Sequence, residues 1–262
     1  MNIGRITNRS LNRSLAFLAA IVWASLACVP PASAGELRAV IELFTSQGCS
    51  SCPPADRLMG ELARDPSLVV LTLPVDYWDY LGWKDTLALH GHTTRERAYA
   101  LARGDREVYT PQVVVNGLVH VLGSDKAAIE RAIAQTRASA APLTLAVSVT
   151  VTDGNVTVKV PAQEENGRGS AEVWLCPVTD EAPVAIGRGE NSGRSLVYHN
   201  VVRGWVKLGV WAGKAETFSV PLSDLTDAGH ALQDIDRLAV VVQRGVSAKP
   251  GMMLGAASVA LK

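Results

Sequence analysis

Two cysteines lie three positions apart in Cys49-Ser50-Ser51-Cys52, and no other residues of this sequence are better suited to chemistry. A Cys-x-x-Cys pair closes a small ring that opens and reforms readily, and the thiolate is the attacking form. A thiolate near neutral pH needs a lowered pKa, which a helix N-terminus supplies through unpaired N–H groups and the helix dipole. Cys49 is nearer the preceding strand and is expected to be the exposed, attacking thiol, with Cys52 as the resolving thiol. Ser50 and Ser51 can donate hydrogen bonds to sulfur but carry no charge. Pro53 and Pro54 follow directly, and proline suits only the first helical turn. The helix is therefore expected to begin at Pro53 or Pro54, leaving Cys49 about a turn outside it and its thiolate weakly stabilised. Glu42 stands in an otherwise apolar run before the pair. It reads either as a proton acceptor for the resolving thiol, its pKa raised by burial, or as a solvent-facing or ion-paired carboxylate.

The elements that must hold this pair follow from periodicity. Arg38 to Phe44 reads as a buried strand, and Gly48 as the residue that permits a tight turn into Cys49. Ala55 to Ala63 reads as a helix with Leu58, Met59 and Leu62 on one face. Leu68 to Leu73 is a second strand. Thr93-Thr94-Arg95-Glu96 has the form of a capping box opening a helix to about Arg103. Gln112 to Val121 reads as a hairpin turning at Asn116-Gly117, and Ser124 as the cap of a last helix. Strand, helix, strand, helix, hairpin, helix is the element order of the thioredoxin fold. In that fold a cis proline opens the hairpin strand and faces the disulfide, and the backbone of its neighbour pairs with substrate. Thr110 and Pro111 occupy that position; an ordinary trans turn proline is the alternative. Tyr77 and Trp78 follow the second strand together with Tyr80 and Trp83. They read either as a substrate-contacting rim or as a hydrophobic cluster that seals the loop.

Beyond residue 140 the pattern changes. Leu143, Leu145, Val147, Val149 and Val151 alternate with polar or small residues, Asp153-Gly154 makes a turn, and Val156, Val158 and Val160 alternate again. Further strands are expected at Ala171 to Pro177, Leu196 to Val202, Thr217 to Val220, Leu238 to Gln243 and Ala256 to Leu261. The expected fold class is α/β: a thioredoxin-like domain over residues 35–140, then a mainly antiparallel, β-sandwich-like domain over 141–262. The small residues Ala138 to Ala141, closed by Pro142, mark the boundary.

Residues 1–34 have the form of a secretory signal, with Arg5, Arg9 and Arg13, an apolar run from Leu15 to Val29, and Ala32-Ser33-Ala34. The run is shorter than the roughly 18 residues of a comfortable membrane span. An N-terminal anchor helix is one alternative, and a lipoprotein signal at Cys28 is another. Cleavage near Ala34 would leave a periplasmic or secreted protein with no integral membrane span, in a compartment where a close cysteine pair is oxidised. Lys+Arg and Asp+Glu both number 25. That balance argues against nucleic acid as a partner. No cofactor or metal site is expected: no phosphate-binding glycine loop occurs, and the absence of a nucleophile elbow argues against a hydrolase triad. His90 and His92 alone do not make a metal site. Cys176 reads as a small buried hydrophobe or as a third redox thiol.

Four segments carry a resemblance. Glu42 to Asp56, Val75 to Trp83, Tyr109 to Gln112 and Tyr198 to Arg203 are together similar to the secreted "domain of unknown function 1223" proteins. The resemblance covers nearly all of the chain after the leader and implies a thioredoxin-like fold with a β-rich C-terminal part, with no known substrate. The expected function is exported thiol–disulfide exchange with a protein or peptide thiol or disulfide as partner. The alternatives are a non-catalytic envelope or peptide-binding protein with a structural disulfide, and a thiol-based metal-binding protein. Arg188-Gly189-Glu190-Asn191 followed by Tyr198-His199-Asn200 is the most polar constellation of the second half, expected either to flank the disulfide or to form a hydrogen-bonded corner.

Overall fold

The runs of aliphatic and β-branched residues in the first half form strands covered on both faces. The computed structural model describes residues 1–2, 37–163, 170–226 and 232–261. The leader expected over residues 1–34, with Cys28, lies almost wholly outside the described residues. β1 (Ala39–Thr45) and β2 (Leu68–Pro74) are buried along their full lengths. They pair in parallel, which requires a crossover, and α1 (Pro53–Leu62) supplies it. Ala39, Ile41 and Leu43 face α1 and the last helix, while Val40 and Phe44 join a second core on the opposite face.

α2 (His90–Arg103) starts earlier than the capping-box pattern implies. Its N-cap is Leu89, which makes no side-chain cap. Thr93 and Glu96 are both buried, and each is taken by a tertiary partner: Thr93 Oγ1 donates to Asp76, and Glu96 accepts from Tyr77. β3 (Gln112–Val115) and β4 (Val119–Leu122) form the expected hairpin. Asn116 and Gly117 have positive φ angles of 53° and 72°. α3 (Lys126–Ala140) is capped by Asp125, one residue after the expected Ser124.

The second half contributes β5 (Ser148–Thr152), β6 (Asn155–Val160), β7 (Ala171–Ala185), β8 (Ser195–Val202), β9 (Val206–Trp211), β10 (Glu216–Pro221), β11 (Arg237–Val246) and β12 (Lys249–Ala260). The alternating run from Leu143 does not enter β5 until Ser148, because the N–H groups of Leu143 and Leu145 turn to the carbonyls of Met253 and Leu254. β9 has no counterpart among the expected strands. The fold is mixed α/β, mostly sheet with three described α-helices.

Hydrogen bonding does not separate the two halves at residue 140. The large sheet runs β12-β11-β7-β8-β2-β1-β3-β4, with β9 also on β7. β8 meets β2 in parallel at Thr72 and Val201, so strands of both halves share one sheet. Two-layered β packing is present in the second half. The small sheet β10-β6-β5 shares a core with the larger one through Val149, Val158, Val173, Val240 and Leu254. The larger layer is the continuation of the N-terminal sheet. That sheet curls back on itself, so that the Met253 N–H in β12 donates to the Asn116 carbonyl at 3.0 Å.

Gly117 is the closest point of this closure. A Cβ there would stand 2.2 Å from the Gly251 carbonyl oxygen, at a φ of 72°. Gly154 also has a positive φ, of 74°, but opens onto free space. Gly154→Ala is expected to cost about 1 kcal/mol from backbone strain alone. Gly117→Ala should cost about 3 kcal/mol or more, because strain and a backbone clash add. Urea midpoints of the two variants measure the difference.

Candidate functional site

Cys49 and Cys52 form a disulfide with a Cα–Cα distance of 5.4 Å. It lies in the turn between β1 and α1. The Cys49 N–H donates to Ser46 O at 3.1 Å, and the Cys52 N–H to Cys49 O at 3.2 Å. Cys52 is the N-cap of α1, with Pro53 and Pro54 opening the helix, as their missing N–H groups require. Its carbonyl takes the N–H groups of Ala55 and Asp56. Cys49 therefore stands outside the helix, where the dipole is weaker. Gly48 has a different role from the one expected. Its φ is not positive, and a Cβ would approach the Cβ of Trp78 to 3.0 Å, so close approach rather than turn geometry calls for glycine.

Neither cysteine has exposed surface, which corrects the expectation that Cys49 is the accessible thiol. Three segments close over it. The Thr110–Pro111 peptide is cis, and the Thr110 carbonyl lies 3.8 Å from Cys49 Sγ. The Trp78 indole N–H donates to Thr110 Oγ1 at 2.8 Å. From a second loop, Trp83 Nε1 donates to Gln47 Oε1 at 2.8 Å, and Asp85 accepts the Gln47 N–H at 2.8 Å. The third segment, residues 187–194, comes from the other half of the chain. Asn191 Nδ2 donates to the carbonyls of Gln47 and Cys49 at 3.0 and 2.8 Å. Glu190 accepts the Ser50 N–H at 3.1 Å, and Arg194 holds Asn191 Oδ1 at 3.0 Å. The first part of the second half's polar constellation, at Glu190 and Asn191, thus flanks the disulfide. Ser50 and Ser51 are exposed.

Glu42 is fully buried and joined to Arg95 and Tyr99 rather than to a cysteine. Arg95 Nε donates to it at 2.7 Å, and the Tyr99 hydroxyl donates to its other oxygen. Gln243 in β11 completes the cluster, accepting from Arg95 Nη2 and donating to Tyr99, at 2.8 and 2.7 Å. Of the two readings of Glu42, the geometry matches the ion-paired one.

The carboxyl group nearest in sequence to Cys52 is Asp56, which periodicity arguments passed over. Cys52 and Asp56 are spaced i, i+4, which places them on one helical face, and that spacing was a usable signal. Asp56 Oδ1 accepts from Thr45 Oγ1 at 2.7 Å, while Oδ2 is buried with no partner among the described residues. Burial raises its pKa to about 8. Burial likewise raises Asp85 to about 6. The Tyr198 hydroxyl is buried without a described partner, and burial, then the charges of Asp56 and Asp85, push its pKa up.

Tyr77 turns inward, its hydroxyl donating to Glu96 at 3.4 Å, and both Tyr77 and Trp78 pack on the core. Burial raises Glu96 to about 7. Tyr80 is left exposed. His90 pairs with Asp76, and His92 with the Pro74 carbonyl. Burial lowers His92 to about 4, so it is neutral at pH 7. No group of three or more metal-ligating side chains occurs among the described residues. Cys176 is buried in the core beside Trp174.

Two measurements follow from these buried charges. Arg95→Met leaves Glu42 sealed without a counter-charge and is expected to cost about 3–5 kcal/mol in urea unfolding. Adding Glu42→Leu should recover much of that loss. Asp56 binds its proton more tightly folded than unfolded, so its contribution to stability falls as pH rises from about 4 to about 8. The stability difference between Asp56→Asn and the native chain should therefore grow in favour of the variant across that window, reaching the order of a few kcal/mol. Taking the difference cancels the opposite slope that His92 gives between about 4 and 6.5.

Comparison with known proteins places these features in a family. No curated protein matches the chain. A crystal structure of protein AGR_C_4864 from Agrobacterium tumefaciens is similar at 32% identity and a TM-score of 0.74, over 86% of this chain and 94% of that one. A family described as "Protein of unknown function (DUF1223)" matches residues 40–243, which hold the disulfide, the cis proline and the 187–194 segment. The chain belongs to the DUF1223 family of proteins of unknown function.

Proposed function

We propose that this protein is an exported thiol–disulfide exchange protein, with a thioredoxin-like arrangement over residues 35–140. The observation that carries the reading is the disulfide at a strand-to-helix junction with the carbonyl before cis Pro111 lying 3.8 Å from Cys49 Sγ. A substrate thiolate would attack Cys49 Sγ, forming a mixed disulfide and releasing the Cys52 thiolate. A second substrate thiolate would then displace the Cys49 thiolate. The substrate leaves as a disulfide, and its two electrons stay in the protein dithiol. In the opposite direction, Cys49 thiolate attacks a substrate disulfide and Cys52 resolves the adduct. Electrons pass only between sulfurs, so no cofactor is needed.

Asp56 suits the proton side of this exchange. A carboxyl with a pKa of about 8 holds its proton at neutral pH and can pass it to the Cys52 thiolate, or take it back when Cys52 attacks. Thr110 and Pro111 would line the substrate backbone, with Tyr77 and Trp78 fixing that loop from behind. Export rests on the leader-like residues 1–34. No described helix is long and apolar enough to cross a membrane.

Because both sulfurs are covered, exchange requires the 187–194 segment and the Trp83 loop to part. The same burial favours a second reading, a structural disulfide in a non-catalytic peptide-binding protein. The reduction potential separates the two. A value below about −300 mV, with insulin reduction no faster than that of Cys49→Ser, would leave the structural reading. Under the exchange reading, Asn191→Ala should speed reduction by a small thiol about tenfold, since it removes two hydrogen bonds holding the cover. Asp56→Asn should slow turnover at pH 7 by about tenfold or more.

A further inference from the structure

A cavity of about 340 Å³ opens away from the disulfide residues. It is lined by Gly91, Thr94 and Arg95 of α2, Trp174 of β7, Trp205 before β9 and Ser247 between β11 and β12. Its size is at the lower end for small-molecule sites. Its floor is a charged group held in place from behind. Arg95 is only 9% exposed. Its Nε and Nη2 are spent on Glu42, Tyr99 and Gln243, while Nη1 has no partner among the described residues and is not sealed. The guanidinium carbon stacks 4.3 Å from the Trp205 ring centroid and 5.0 Å from that of Tyr99, so it cannot swing toward a solvent anion without losing both faces. Trp174 stands edge-to-face on Trp205, with centroids 6.1 Å apart. None of the six lining residues is acidic. The hydroxyl protons of Thr94 and Ser247 are already donated, to the His90 carbonyl and to Glu172.

We propose that this cavity is a binding site for a small planar aromatic carboxylate. The acid would accept from Arg95 Nη1 and the ring would pack against Trp174 and Trp205. A cation would meet Arg95 head-on, and a neutral ring would leave its fixed donor unpaired. The site shares no residue with the disulfide and does not depend on the exchange reading.

Gly91 offers a clean block, because a Cβ at that position meets nothing within 4 Å. A leucine side chain at this cavity-lining position has open space to fill and no packed neighbour to displace. The experiment titrates the full chain with benzoate, benzyl alcohol and benzylamine, reading tryptophan fluorescence. Saturable quenching by benzoate is expected at concentrations about tenfold below those of benzyl alcohol, the worth of one charge-assisted hydrogen bond, with none from benzylamine. Arg95→Lys should erase the advantage of benzoate. Gly91→Leu should abolish quenching by both ligands with melting not lowered, and it decides the question if Arg95→Lys fails to fold. Benzoate binding no tighter than benzyl alcohol, or undiminished in Gly91→Leu, would overturn the proposal.

Discussion

A carboxylate at the centre of a sheet has no water to solvate it, and the fold of this protein is arranged around meeting that demand at Glu42. The group sits on β1, fully buried, so its charge must be balanced by protein alone. Arg95 comes from α2, Tyr99 from one turn further along the same helix, and Gln243 from β11. Each partner belongs to a different layer or to the other half of the chain. Satisfying one buried charge therefore docks α2 on the sheet and draws β11 and β12 over the helix. The same constraint leaves a single guanidinium nitrogen of Arg95 without work inside the fold.

The disulfide is governed by a different economy, that of backbone groups. In the turn from β1 to α1, the carbonyls of Gln47 and Cys49 point away from any ladder, and such groups are expensive to bury unpaired. Asn191 supplies Gln47 with a donor and Cys49, which already takes the Cys52 N–H, with a second, while Asp85 and Glu190 take the N–H groups of Gln47 and Ser50. A segment some 140 residues away in sequence thereby completes the first coat of the cysteine pair. That coat explains why the sulfurs are covered although the motif sits at a chain turn and its two serines are exposed. It also makes the second half part of the site rather than an appendage to it.

What could be read in advance was local. The strands β1, β2 and β3, the hairpin turn at Asn116-Gly117 and the start of α1 at its two prolines follow from side-chain shape and from φ and N–H restrictions within a few residues. Features that looked local but were claimed by distant partners misled. Thr93 and Glu96 have capping-box spacing, yet Asp76 and Tyr77 take them. Gly48 looked like a turn glycine but answers to the side chain of Trp78. Glu42 drew attention as a carboxylate in an apolar strand, while Asp56, at helical spacing from Cys52, was hidden by the polar neighbours of an amphipathic helix. The strand β9 carries the weak pattern Val-Lys-Leu-Gly-Val-Trp and is a strand because the long β7 offers it an edge.

By itself the sequence settled the cysteine spacing, the succession of helices and strands through α3, and the residues permitted at tight turns, since these depend on covalent geometry and short-range periodicity. Only the tertiary structure decided that the two halves share a sheet, that Glu42 belongs to Arg95, and that the disulfide is covered by Asn191 and Trp83. Those outcomes depend on which buried charge or unpaired backbone group finds its partner across 36 to 142 residues, and no local pattern encodes that choice.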